Sequence, residues 1–99
     1  MIHTLKIVPP FFEAIVNGSK TFELRREDDR HFEVGDWLLL REYIAPFRVQ
    51  GCVVKERYTG RACNVQVTYV LRDEQWLQPG VAALGIRLAN AEGIHHTAE

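Results

Sequence analysis

Cysteine is scarce in this chain, and Cys52 and Cys63 have neither the number nor the spacing of a disulfide framework or a metal knuckle. The four histidines, His3, His31, His95 and His96, do not complete a metal set. Both thiols are therefore expected to be reduced, with no metal and no other cofactor. No apolar run reaches the length of a membrane span, and the opening Met1-Ile2-His3-Thr4-Leu5-Lys6 lacks the uninterrupted apolar stretch of a secretory signal. The expectation is a soluble, cytoplasmic protein with no membrane partner. Repeats and low-complexity segments are absent too. Nor is there an excess of charge: a net −1 argues against a nonspecific polyanion binder in the whole-molecule sense. The charge is unevenly spread, however, with +2 over residues 1–26, −4 over 27–43, +3 over 44–70 and −2 over 71–99. The basic blocks hold Lys20, Arg25 and Arg26, then Arg48, Lys55, Arg57 and Arg61, enough for a local positive cleft if the fold gathers them.

What is present fits one ordinary core. Ninety-nine residues, 46% of them hydrophobic and 10% aromatic, suffice for a single domain and leave no room for two. His3 to Val8 reads as a strand with Leu5 and Ile7 on one side. Pro9-Pro10 then opens a helix whose stripe is Phe11, Phe12, Ile15 and Val16, stopped by Asn17-Gly18. Glu27 to His31 is a loop and Phe32 to Asp36 a turn, followed by a strand over Trp37 to Arg41. Two further strands are expected over 49–57 and 64–71, linked by Tyr58-Thr59-Gly60-Arg61, with Val65, Val67, Tyr69 and Leu71 on one face of the second. Residues 72–80 read as a loop or single helical turn, and Val81 to Leu88 as a last strand with Ala82, Leu84, Ile86 and Leu88 inward. The domain is placed at 1–89, and 90–99 is expected to be a disordered tail. About six strands with one or two short helices suggest an α+β domain whose sheet curls towards a small mixed β-barrel, with a cleft where the helix covers one mouth.

Chemistry concentrates where the helix hands over to the next strand, in Gly18-Ser19-Lys20-Thr21-Phe22-Glu23-Leu24-Arg25. The period of two sends Phe22 and Leu24 one way and Thr21, Glu23 and Arg25 the other, and the second set reads as a polar pocket wall. Lys20 has the wrong parity to join that wall unless the chain is still turning out of the helix cap at residue 20. The bland alternative is a solvated strand face with one exposed ion pair, worth roughly 0–1 kcal/mol. Phe47, Tyr58 and Tyr69 lie near basic residues, where base stacking competes with ordinary core or cleft-lining roles.

Gly18-x-Lys20-x-x-Glu23-x-Arg25 is similar to the G-x-K-x-x-E-x-R signature of the activating-signal-cointegrator homology (ASCH) domains, members of the PUA-like fold of RNA-associated small barrels. His3-x-Leu5-Lys6-Ile7, Phe32-x-Val34-Gly35-Asp36-x-Leu38, Tyr58-Thr59-Gly60-Arg61 and Leu84-Gly85-Ile86 further resemble an uncharacterised PUA-like subfamily of bacteria and their phages. The resemblance covers residues 3–88. It implies a cleft between the early helix and the sheet that binds RNA or a modified nucleotide. Lys20 and Arg25 would then meet phosphate or carbonyl oxygens, and Glu23 a base amino group or Arg25 itself. Tyr58 and Arg61 are added from the basic loop, with cations supplying salt-dependent attraction and a carboxylate and an aromatic supplying base selectivity.

The same resemblance implies an alternative in which the protein is an enzyme. One small ASCH-type group hydrolyses the acyl amide of N4-acetylated cytidine with a Lys-x-x-Thr pair and a later glutamate. Here Lys20 matches, but Glu23 stands where that group has its threonine, and Thr21 lies two residues too early. A Lys20–Glu23 pair would instead activate water, with Glu56, Asp73 or Glu74 as the later acid, or would serve as the acid–base pair of a ribonuclease. A protein-interaction module is the third reading, and in it the polar face of Thr21, Glu23 and Arg25 is dispensable.

Overall fold

The computed structural model describes residues 1–89 and, as backbone, the short strand Ile94–His96. β1 (Ile2–Ile7) runs directly into α1 (Pro9–Val16). Pro9 and Pro10 sit in the first helical turn, where a missing N–H costs nothing, and the Val8 carbonyl accepts from the N–H groups of Phe11 and Phe12 at 3.1 and 3.0 Å. Phe12 and Ile15 are buried, whereas Phe11 faces outward. The helix stops where expected, with Gly18 at φ +88° donating to the Ile15 carbonyl.

Among the described residues seven strands follow: β2 (Phe22–Arg26), β3 (Trp37–Ile44), β4 (Phe47–Val49), β5 (Cys52–Val54), β6 (Arg57–Leu71), β7 (Val81–Leu88) and β8 (Ile94–His96). The main sheet has the order β1-β3-β6-β7-β2, with β8 also pairing with β6. Among the described residues β1 and β3 are the one parallel pair. The five strands from β1 to β2 curl into a half-barrel, so the molecule is a small, mostly β, α+β domain. The open side lies between the edge strands β1 and β2, whose residues line one common cleft.

Three sequence expectations are corrected. Residues 49–57 are not one strand: β4 and β5 form a separate hairpin whose two-residue turn, Gln50 at φ 50° and Gly51 at φ 81°, has the positive angles of the tight turns that match strand twist. Tyr58 to Arg61 is no linker, since it belongs to the 15-residue β6. The alternation of β6 also breaks at Thr68, an extra residue between the pairs Val67↔Ile86 and Tyr69↔Gly85. This bulge turns Tyr69 out to 62% exposure and sends Val70 towards the core in its place. A Cβ on Gly85 would meet Thr68 Oγ1 at 3.0 Å and Tyr69 Cβ at 3.3 Å, so the bulge leaves room only for glycine opposite it.

The core gathers Phe12 and Ile15 from α1, Phe32, Leu38 and Leu40, Cys63, Val65 and Val67 from β6, and Ala82, Leu84 and Ile86 from β7. On β7 the expected parity holds, with Leu88 packed partly buried at the end of the row. The 72–80 segment makes a single turn, with Trp76 and Leu77 N–H groups donating to the Asp73 carbonyl. The expectation of a disordered tail falls outside the described residues, apart from the backbone of Ile94–His96, which pairs with Arg61–Cys63. Among the described residues no helix is long and apolar enough to cross a membrane.

Candidate functional site

Lys20 meets the geometric demand set by its parity. It precedes β2, and its N–H is still bonded to the Ala14 carbonyl of the helix at 2.9 Å. Ser19 helps hold this turn: its N–H donates to Asn17 Oδ1 and its hydroxyl to the Ala14 carbonyl. From there the Lys20 side chain runs along β2, where Nζ donates to the Phe22 carbonyl (2.5 Å) and ion-pairs with Glu23 Oε1. Arg25 takes the other carboxylate oxygen, with Nε 2.8 Å and Nη2 2.7 Å from Glu23 Oε2. Its Nη2 also donates to the main-chain carbonyl of Lys6 on β1, at 2.9 Å.

The period of two predicted for β2 is right, but the sides are exchanged relative to the interior. Glu23 is 4% exposed, while Phe22 and Leu24 stand out at 49% and 54%. At an edge strand beside an open seam, the outward side chains face a cleft and the inward position lies near the helix end. A carboxylate is tolerated there because two cations complete its hydrogen bonds. The cleft itself has a volume of about 480 Å³. Its walls are Lys6, Ile7 and Val8 from the β1 side, Phe11 from the helix, and Lys20 with Phe22 to Arg25 from the β2 side. The Lys20 ammonium lies 5.5 Å from the centre of the Phe11 ring and 4.9 Å from that of Phe22, so two exposed aromatics flank one cation.

Tyr58 and Arg61 are placed elsewhere. Phe11 borders the cleft, whereas Phe12 and Glu13 follow at 100° steps round the helix and carry Arg61 on its other flank. There Arg61 Nη1 donates to Glu13 Oε1 at 2.7 Å and sits 3.8 Å from the buried Glu42, with its guanidinium over the Phe12 ring. Glu42 also accepts from Thr59 Oγ1 at 2.7 Å. The arrangement depends on an irregularity: between Arg41↔Ala62 and Tyr43↔Tyr58, Glu42 alone opposes the three residues Thr59, Gly60 and Arg61. Gly60 adopts φ +91° within it. Arg61 thus ties the helix to the barrel. Tyr58 lies on the other face, in a row with the Arg41 guanidinium 3.8 Å from its ring, the Tyr43 ring 5.6 Å away and the Lys6 ammonium over Tyr43. Lys6 links the two, lining the cleft and placing its ammonium over Tyr43. Sequence reasoning missed Lys6, Phe11 and Phe22 as site residues, since only the tertiary approach of β1 to β2 brings them together.

The acidic block braces the structure. Arg72 donates to both oxygens of Glu27 (2.6 and 3.0 Å) and to the Phe32 carbonyl, while Phe32 N–H donates to Glu27 Oε2. Chiefly through the Arg72 hydrogen bonds, the Glu27 carboxyl is held down at about 2. Asp36 is buried, and burial pushes its carboxyl up. His3 Nε2, 2.9 Å from Oδ2, and the Glu33 N–H outweigh that and leave it below the usual range. Burial pushes the Cys63 thiol up to about 11, with Glu23 adding in the same sense. Glu56, Asp73 and Glu74 are all exposed and none lines the cleft.

Two comparisons bear on this arrangement. An uncharacterized 12.9 kDa protein from the GpA 3′ region of Escherichia phage P2 is 34% identical over 77 residues, covering 78% of this chain and 61% of that protein. This chain therefore spans less than two thirds of that relative's length. Residues 2–86, which include the whole seam and its Lys20–Glu23–Arg25 triad, match a domain of unknown function, DUF3850, and the chain belongs to that family.

Proposed function

We propose that the seam between β1 and β2 binds single-stranded RNA or a nucleotide, and that the half-barrel is a PUA-like domain of the ASCH type. The observation that carries this reading is a local charge reversal. A chain of net charge −1 places Lys6, Lys20, Arg25 and Arg26 along the seam against the single carboxylate Glu23. Local positive potential of this kind attracts phosphate. Phe11 and Phe22 supply exposed ring faces on which a base stacks without demanding one sequence. Glu23 orients Lys20 and Arg25 rather than waiting for a ligand, because both of its oxygens are already engaged.

Hydrolysis of an acylated base draws less support. Glu23 is bonded to two cations, and the later acids weighed from the sequence stand clear of the cleft. Binding is tested by anisotropy of a labelled eight-nucleotide RNA at several salt concentrations. Lys6→Gln should weaken binding and flatten the plot of log K against log salt by about 0.7 for each phosphate no longer neutralised. Affinity indifferent to salt, or no binding by the wild type, would count against the reading.

A further inference from the structure

The seam does not end at Arg25. Beyond Leu24 a second hollow of about 300 Å³ opens between β2 and the turn before β7, lined by Arg26, Trp76, Leu77, Gln78 and Val81, with Leu24 and Arg25 common to both hollows. Phe22 and Leu24 project on the same side of β2 about 7 Å apart, so the two recesses are contiguous.

We infer that this second hollow is a stacking site for the next nucleotide of the same single strand, with Trp76 as its platform and Arg26 as its phosphate contact. The inference rests on reading the first cleft as a nucleotide site. Trp76 is 76% exposed, and the turn that carries it does not need an indole. That turn is closed by the Asp73 carbonyl and by Asp73 Oδ1, which accepts from Gln75 N–H, while Leu77 is half-buried in the wall of the hollow. Arg26 has the neutral Gln78 Oε1 at 3.2 Å as its partner among the described residues, so no described carboxylate cancels its charge. An exposed aromatic face beside an uncompensated cation suits a base joined to a phosphate.

The backbone of the seam argues against an added peptide strand, which would need both N–H and C=O groups of an open edge. Thr21, which accepts from Ile86 N–H, and Glu27, which donates to Gly80, fix the residues of β2 bonded to β7. By alternation, Phe22, Leu24 and Arg26 present their main-chain groups to the open side. There the Phe22 carbonyl is filled by Lys20 Nζ. Across the gap, the Lys6 and Thr4 carbonyls are filled by Arg25 and, at 3.5 Å, Arg30. Three carbonyls along the seam are thus already taken by cations, which interrupts the row of acceptors that an added peptide strand would need.

The test compares uridine 5′-monophosphate with a four-residue oligouridylate, by calorimetry on the full chain. Trp76→Ala should weaken the tetramer by about tenfold and leave the monophosphate within about twofold, and Trp76→Phe should retain most of the tetramer affinity. Because the indole is exposed, thermal midpoints should match the wild type. If Trp76→Ala leaves the tetramer unchanged while Lys6→Gln weakens both ligands, the second site is overturned and the first stands. Equal weakening of both ligands by Trp76→Ala also overturns it, since Trp76 would then serve the first nucleotide. If neither ligand binds the wild type, both sites fall together.

Discussion

Arg25 spans the open side of the sheet to the main-chain carbonyl of Lys6, so a side chain stands where a closed barrel would have a ladder bond. The same guanidinium holds Glu23, whose other oxygen is held by Lys20. One ion network therefore closes the half-barrel and builds the wall of the candidate site.

Removing this strap should destabilise the fold measurably. Arg25→Ala is expected to cost about 2–3 kcal/mol in urea unfolding, because it leaves a buried carboxylate short of a charge-assisted partner. Arg25→Lys should recover only part of that loss, since a point charge cannot serve Glu23 and the Lys6 carbonyl with the planar fork. Full recovery by lysine would show that charge alone matters.

Acid stability should depend on Glu27. Its carboxyl lies at about 2 in the fold against 4.5 for the unperturbed group. A depressed carboxyl contributes stability that is complete above about pH 5 and is lost as pH falls through 4.5 towards 2. With Glu27 largely covered and Arg72 partly exposed, the contribution is on the order of 1–3 kcal/mol. Glu27→Gln should lower stability at neutral pH and flatten the decline between pH 5 and 2. An unchanged slope would remove Glu27 from the account. Asp36, also lowered, adds a decline of the same sign.

The two cysteines should separate cleanly by reactivity. Cys52 is exposed, whereas Cys63 is fully buried with its thiol pushed up to about 11. A thiol reagent at pH 8 should label Cys52 alone in the native protein and reach Cys63 only after denaturation. Rapid labelling of both would mean that the core around Cys63 opens readily in the native protein.

Gly60 should resist substitution. Its φ of +91° lies where a Cβ is strained, and the irregularity it occupies aims Thr59 and Arg61 at Glu42. Gly60→Ala is expected to cost about 1–2 kcal/mol, read as a lowered thermal midpoint. Nucleotide binding at the seam should survive it, because Arg61 lies on the other flank of α1.

How much of this could be read from the sequence depended on how local each signal was. The prolines and the Phe12 and Ile15 stripe define α1, and Ala82, Leu84 and Ile86 define the inner face of β7, because each rests on neighbours a few residues apart. The Lys20–Glu23–Arg25 grouping was legible for the same reason. The direction in which Glu23 points was not, since that depends on β2 lying at an edge opposite β1. The Thr68 bulge likewise has no marker within β6, and what demands it lies in the close approach of Gly85. Gln50-Gly51 did carry a hairpin signal inside residues 49–57, but the flanking apolar residues read equally well as one longer strand.

β6 borders β3 on one side and β7 on the other, while the strands that flank the seam come from near the beginning of the chain and reach it only through these partners. The opening between β1 and β2 therefore exists only after contacts between distant parts of the sequence have formed, and an unfolded or half-assembled chain has no such recess. Occupancy and folding thus share one equilibrium. A ligand that fills the recess raises the melting temperature, and above its Kd the rise grows with the logarithm of its concentration, so a thermal scan against a nucleotide panel tests the proposed binding without any assay of activity.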